Sequence, residues 1–328
     1  MAGPAARRGL EDGADGVVRD LSKISPLERN FVMTWALTRK LLRDVRVAWI
    51  VVATLTFLFQ ILWARVTSRV TTQILTALQG AGVSLEVLQE VLLGKEFLGQ
   101  MVQAILGGEQ IRLDRPDNFM SISYVHPLPL TILGIFAIGR AANAIAGEID
   151  RGTMELLLAQ PIRRTQVIVA HLVVDAIVFP ALCLVLWLGT YCGTWWMGLQ
   201  ALGNQRVDPL HFLPALMCVF GLLFAHSGVT MWISSLGRHR PRVWGWAITI
   251  FLCMFLLNVL GQIWEEPLGW IRPYTVHYHY LPQCMILHDD WYGSANAWLH
   301  LLVLLGVGAI GYLFAWVTFC RRDLPAPL

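Results

Sequence analysis

The chain has 328 residues, 56% of them hydrophobic and only 14% charged, whereas an ordinary soluble domain carries about 25% charged residues. Its mean hydropathy is +0.56 and its formal net charge +3. This composition argues against a water-solvated globule, and no basic stretch is interleaved with aromatics as nucleic-acid binding would require.

Residues 1–26 are polar and rich in Gly, Ala and Arg. They have no apolar core of signal-peptide type and read as a disordered cytosolic tail. Residues 27–46 place Phe31, Trp35, Leu41, Leu42 and Val45 among basic side chains. That pattern predicts an amphipathic entry helix lying along the inner membrane surface. A basic flank that merely orients the first span is an equally good account.

A helix crossing the hydrocarbon core needs about 20 mostly apolar residues. Six stretches qualify: 47–64, 128–146, 167–197, 212–236, 243–263 and 297–319. They are continuously apolar, not alternating, so helices are expected and not a barrel. The predicted fold is an all-α polytopic membrane protein. Its six-helix transmembrane domain covers 47–319, and residues 320–328 form a cytosolic C-terminal tail. The connection 65–127 is too long for a plain loop. Leu85, Leu88, Val91 and Leu92, then Phe97, Met101, Ile105 and Leu106, recur at helical spacing. A small helical outer cap is expected there.

Orientation follows from Lys and Arg. With the N-terminus inside, the inner segments hold Arg39, Lys40, Arg43, Arg46, Arg151, Arg163, Arg164, Arg238, Arg240, Arg242, Arg321 and Arg322. The last outer segment is acidic, with Glu265, Glu266, Asp289 and Asp290. Both termini are therefore expected in the cytosol.

Between spans two and three lies Gly147-Glu148-Ile149-Asp150-Arg151-Gly152-Thr153-Met154-Glu155-Leu156-Leu157-Leu158-Ala159-Gln160-Pro161-Ile162-Arg163-Arg164. It reads as a short amphipathic helix. Thr153 is a candidate N-cap, Met154 to Leu158 supply the apolar face, and Pro161 stops it. Such a helix can rest on the membrane or dock into a groove of a soluble partner.

This stretch resembles the signature of ABC-2 type permeases: an acid, Gly-Thr, Glu-Leu-Leu, then Pro and a basic residue. The six spans, and the closing Phe319-Cys320-Arg321-Arg322-Asp323-Leu324, are similar to that family too. Among its subgroups the chain looks most like the stand-alone permeases that include the membrane subunit of the nitrous-oxide-reductase maturation system. The long first outer loop is larger than the simplest members carry. The resemblance implies a homodimer in a plasma membrane, the bacterial inner membrane. It also implies that Glu148, Arg151, Gly152, Thr153, Glu155, Leu157, Pro161 and Arg163 couple the membrane helices to a separate cytosolic ATPase. ATP and Mg would bind on that partner and no cofactor on this chain, which would not itself be an enzyme. No Gly-x-x-x-x-Gly-Lys-Ser/Thr loop is present, since Gly94-Lys95 is followed by Glu96. An exporter is the expected direction.

Charges inside spans cost about 2.5–3.5 kcal/mol at a helix centre on insertion scales and need partners. Arg140 precedes Glu148 by eight residues, and Asp175 follows Val167 by eight. Each therefore sits ~12 Å from its inner helix end. Antiparallel spans would put them at one depth, which predicts an Arg140–Asp175 pair. His171, one turn before Asp175, is placed to hydrogen-bond to it. His226, Ser227, Asn258 and Gln262 are further polar groups within spans, expected to bond between helices or to line a path. The last outer loop holds His277, His279, Cys284 and His288, which are copper or zinc ligand types but also suit an aromatic interfacial belt with Tyr274, Tyr278 and Tyr280. The competing function is a haem- or metal-binding membrane redox protein with His171 and His226 as axial ligands.

Overall fold

A computed structural model describes residues 26–81, 116–199, 207–287 and 297–322. The expected tail up to residue 25, the outer cap over 82–115, His288 and residues 323–328 lie outside the described residues.

Every regular element among the described residues is helical, because backbone groups facing lipid must bond within their own segment. Among the described residues six helices are long and apolar enough to cross a membrane: Asn30–Gln73, Pro116–Asp150, Arg164–Trp196, Pro209–Leu236, Arg240–Ile263 and Ala297–Arg321.

The first helix, α1, runs from Pro26 to Ala81 without interruption. The entry segment 27–46 is therefore not a separate helix, and the chain does not turn at Arg46. The change from basic to apolar composition looked like a boundary, but residues 27–79 contain no Gly or Pro to make one. Its 56 residues span ~84 Å, well over twice a ~30 Å hydrocarbon core.

The second span is composite. Helix α2 (Pro116–Val125) leads through His126 into α3 (Pro127–Ala142). A π-helical turn follows at Asn143–Gly147, then a single turn at Glu148–Asp150. Ser234 of the fourth span supports the π turn. Its hydroxyl accepts from the Ile145 and Ala146 amides at 3.3 and 3.0 Å and donates to the Ala142 carbonyl at 3.1 Å. Amides displaced by the wider turn thus keep a partner, as buried amides must.

After the short helix α4 (Thr153–Leu158) come α5 (Arg164–Trp196), α6 (Ala215–Leu236), α7 (Arg240–Ile263), α8 (Pro282–Leu287) and α9 (Ala297–Arg321). Helix α6 is central, packing on α3, α5, α7 and α9. It meets α9 backbone to backbone. A Cβ added at Gly228 would lie 2.1 Å from the Gly308 carbonyl oxygen, and one at Gly311 would lie 2.4 Å from the Gly228 carbonyl carbon. Small residues permit this approach where no hydrophobic drive favours one helix neighbour over lipid. Helix α7 is the contrast, burying only Val243, Ala247, Phe251 and Gly261.

Several basic residues close helix ends. Arg322 donates to the Ser235 and Gly237 carbonyls at 2.7 and 2.9 Å, and Arg164 donates to the Phe319 carbonyl at 3.0 Å. They satisfy carbonyls that the last turns of α6 and α9 leave without amides. Gln166 ties the start of α5 to α1, donating to the Asn30 carbonyl at 3.1 Å.

Candidate functional site

Arg140 on α3 and Asp175 on α5 meet in the bundle interior, where their side chains are 7% and 0% exposed. Nη2 of Arg140 contacts Oδ1 of Asp175. Oδ2 of Asp175 accepts from Ser227 of α6 at 2.5 Å and from the Tyr312 hydroxyl of α9. Arg140 also donates to Nδ1 of His171 at 3.2 Å, to the His171 carbonyl at 3.4 Å and to the Tyr312 oxygen at 3.3 Å. The pairing expected from depth is present. The His171 expectation is corrected, because its ring turns to Arg140 and no bond to Asp175 is found. A spacing of four places two side chains on one face without fixing which of them reaches across.

The network joins four spans. A buried ion pair survives desolvation only when further hydrogen bonds occupy the remaining lone pairs and N–H groups. Ser227 and Tyr312 do that for Asp175, and His171 does it for Arg140. Tyr312 was missed in the sequence. The available signal was a lone tyrosine within an apolar span, whose hydroxyl needs a partner when buried.

Beside this network lies a groove of about 900 Å³, at the upper end of the range for small-molecule sites. One wall comes from α1, where Val51, Val52 and Leu55 give way to Asp44 and Lys40. The facing wall starts at Ile132, Ile135 and Phe136 and passes to Arg140, Asn143, Glu148, Arg151 and Thr153. His171 and Arg240 complete the charged end. Nε of Arg140 and Oδ1 of Asn143 are buried without a hydrogen-bond partner among the described residues.

The segment after the groove folds on itself. Arg151 donates to Oε1 of Glu148 at 2.7 Å, and the Thr153 hydroxyl donates to Oε2 of Glu148. Gly152 has φ +70°, the left-handed region that glycine enters without Cβ strain. The cap of α4 is thus Gly152, and Thr153 is its first helical residue. Glu148 takes the threonine hydroxyl that would otherwise have capped the helix. Helix α4 ends at Leu158, with Ala159 as its C-cap, before Pro161 is reached. Met154 is buried, Leu157 is half-buried, and Leu156 is 69% exposed beside exposed Glu155, Pro161 and Arg163.

The other polar residues lie elsewhere. Asn258 of α7 accepts from Nε of Arg272 at 3.4 Å, which links it to the following loop and not to another span. His226 is buried, its ring edge-on to Phe251 at 4.1 Å between centroids, and neither ring nitrogen finds a partner among the described residues. With His277 it lines a cavity of about 180 Å³. Burial pushes the His277 pKa down to about 4. His171 lines the large groove and His226 the small cavity, so the two do not face each other as axial ligands would. His279 pairs instead with His300, Nδ1 to Nδ1 at 2.9 Å, and Cys284 is buried in α8. Among the described residues no three His, Cys, Asp or Glu side chains are grouped to hold a metal ion.

A family model described as an ABC-2 family transporter protein matches residues 35–324. No curated protein matches the chain.

Proposed function

The chain belongs to the ABC-2 family of transporter proteins, a multi-pass membrane component of an ABC transporter, and on that premise we propose that it is an exporter subunit. It works as a homodimer, driven by a separate cytosolic ATPase that binds ATP and Mg. The basic end of the bundle faces the cytosol of a bacterium, and both termini lie on that side. Lys40, Arg151, Arg163, Arg240 and Arg321 all fall at that end, which fits the bias of inner loops toward Lys and Arg.

The observation that carries this reading is the shape of residues 148–163. The Glu148–Arg151–Thr153 cluster and the left-handed Gly152 hold a short helix whose buried face, Met154, joins the core. Its opposite face presents Leu156 with Glu155 beside it. A fixed apolar anchor rimmed by charges is the pattern by which a short helix seats in a partner's groove. It follows the π turn and Arg140 across the turn at Arg151 and Gly152, so force applied to it reaches the groove wall through the bonded Glu148–Arg151–Thr153 cluster.

The test is copurification from native membranes in mild detergent. The unmodified chain is expected to bring down a soluble Walker-type ATPase, and the double variant Glu155→Arg, Leu156→Glu is expected to lose it while folding normally. Equal recovery of the ATPase with both chains would remove the docking role from this helix.

A further inference from the structure

The groove has a polarity gradient, and both of its long walls carry it in the same direction. Along α1, Leu55 to Lys40 covers fifteen residues, or ~22 Å of helix, and runs from aliphatic to charged. Along the second span, Ile132 to Arg140 covers ~12 Å and makes the same change, although the two helices run in opposite directions. One end therefore offers a lipid-like slot and the other a set of charges.

The charges are unequal in sign. Lys40, Arg140, Arg151 and Arg240 stand against Asp44 and Glu148 on the lining. Arg151 is taken by Glu148 and Arg140 by Asp175, which leaves Lys40 and Arg240 against Asp44 alone. The groove thus favours an anion at this end. Two buried atoms add chemistry. Nε–H of Arg140 is a donor and Oδ1 of Asn143 an acceptor, and neither has a partner among the described residues. An anionic oxygen at the charged end of the groove is drawn to the guanidinium of Arg140, which lines it.

We infer that this groove binds a single-chain anionic amphiphile, with its phosphate-like head at Lys40, Arg240 and Arg140 and its tail along Val51, Leu55 and Ile132. The inference rests on the transporter reading only in making this molecule the cargo; the binding itself depends on the groove alone.

The probe is radiolabelled 1-oleoyl lysophosphatidic acid, measured by equilibrium binding to the full chain in phosphatidylcholine nanodiscs. Monooleoylglycerol supplies the tail without the charge, and glycerol 3-phosphate the head without the tail. One labelled molecule per chain is expected, with both comparators displacing it at least tenfold more weakly. The exposed double variant Lys40→Glu, Arg240→Glu is expected to raise Kd at least tenfold, while Arg321→Glu, at the same end but off the groove, leaves it unchanged. Displacement by monooleoylglycerol at equal concentration would overturn the charged head. Displacement by glycerol 3-phosphate alone would make this a free-anion site. Equal weakening by Arg321→Glu, or none by the double variant, would move binding away from the groove. If the ATPase copurifies but the probe fails, only the amphiphile falls. If the probe binds but no ATPase is found, the groove stands as a lipid site and the transport role falls.

Discussion

Two arginine–carboxylate–hydroxyl clusters are built on arginines of neighbouring segments, Arg140 and Arg151, and they differ mainly in solvent. Arg140, Asp175, Tyr312 and Ser227 form the first inside the bundle, with the carboxylate wholly buried. Arg151, Glu148 and Thr153 form the second at the basic end, where the arginine side chain is 51% exposed. The first draws its members from four spans, so its geometry fixes how those spans sit. The second closes within six residues and fixes one turn. The same chemistry is a fastener between helices where water is excluded and a local shape-setter where water competes.

That contrast predicts graded effects. The largest belongs to Asp175→Ala, which leaves Arg140 charged and unpaired in the interior. A loss of about 3–5 kcal/mol is expected, read as a collapse of thermal stability in detergent. A variant as stable as the native chain would mean that Arg140 finds another partner or water. Two effects of similar size follow; in Gly228→Ala the new Cβ meets the Gly308 backbone and the helices must separate. About 1–3 kcal/mol is expected, readable in the same melting assay. Tyr312→Phe removes the hydroxyl that bonds Asp175, Arg140 and Ser227 while keeping the ring against Phe224, at about 1.5–3 kcal/mol. Arg151→Ala is the smallest, at about 0–1 kcal/mol, yet it is expected to weaken ATPase copurification by loosening the turn at Gly152. If Arg151→Ala destabilises as much as Tyr312→Phe, the contrast between the clusters fails.

His277 gives a pH test outside both clusters. Its folded pKa, about 4, lies below the ordinary value near 6.5. The unfolded chain therefore binds the proton more readily. The contribution of the neutral buried ring is fully present above pH ~6.5 and declines as pH falls toward ~4. His277→Phe is expected to flatten the stability profile across that window. An unchanged profile would show that His277 titrates normally.

The spans were legible because each is a long apolar run bounded by charge, and lipid leaves the backbone few alternatives to a helix. The Arg140–Asp175 pair was legible because depth in a membrane can be counted in residues from an end. Helix rotation cannot be counted so simply, and His171 accordingly turned to Arg140. Tyr312 is 137 residues from Asp175 and sits in an apolar run that a tyrosine ring suits well, so nothing local announced its partner. The π turn depends on Ser234, again far along the chain. The continuity of α1 was hidden by composition, because the helix follows the absence of breakers and not the change from charged to apolar side chains. The groove needed two walls that no single segment reveals.

The uninterrupted length of α1 gives it a mechanical property. A rod of ~84 Å tilted by ~5° about its midpoint moves each end by ~4 Å in opposite senses. One end is tethered through Asn30 to the start of α5, beside the proposed docking helix, and the stretch from Lys40 to Leu55, between that end and about the midpoint, forms a wall of the groove. Helix α1 is thus a lever whose short stroke at the basic end becomes a change in groove width.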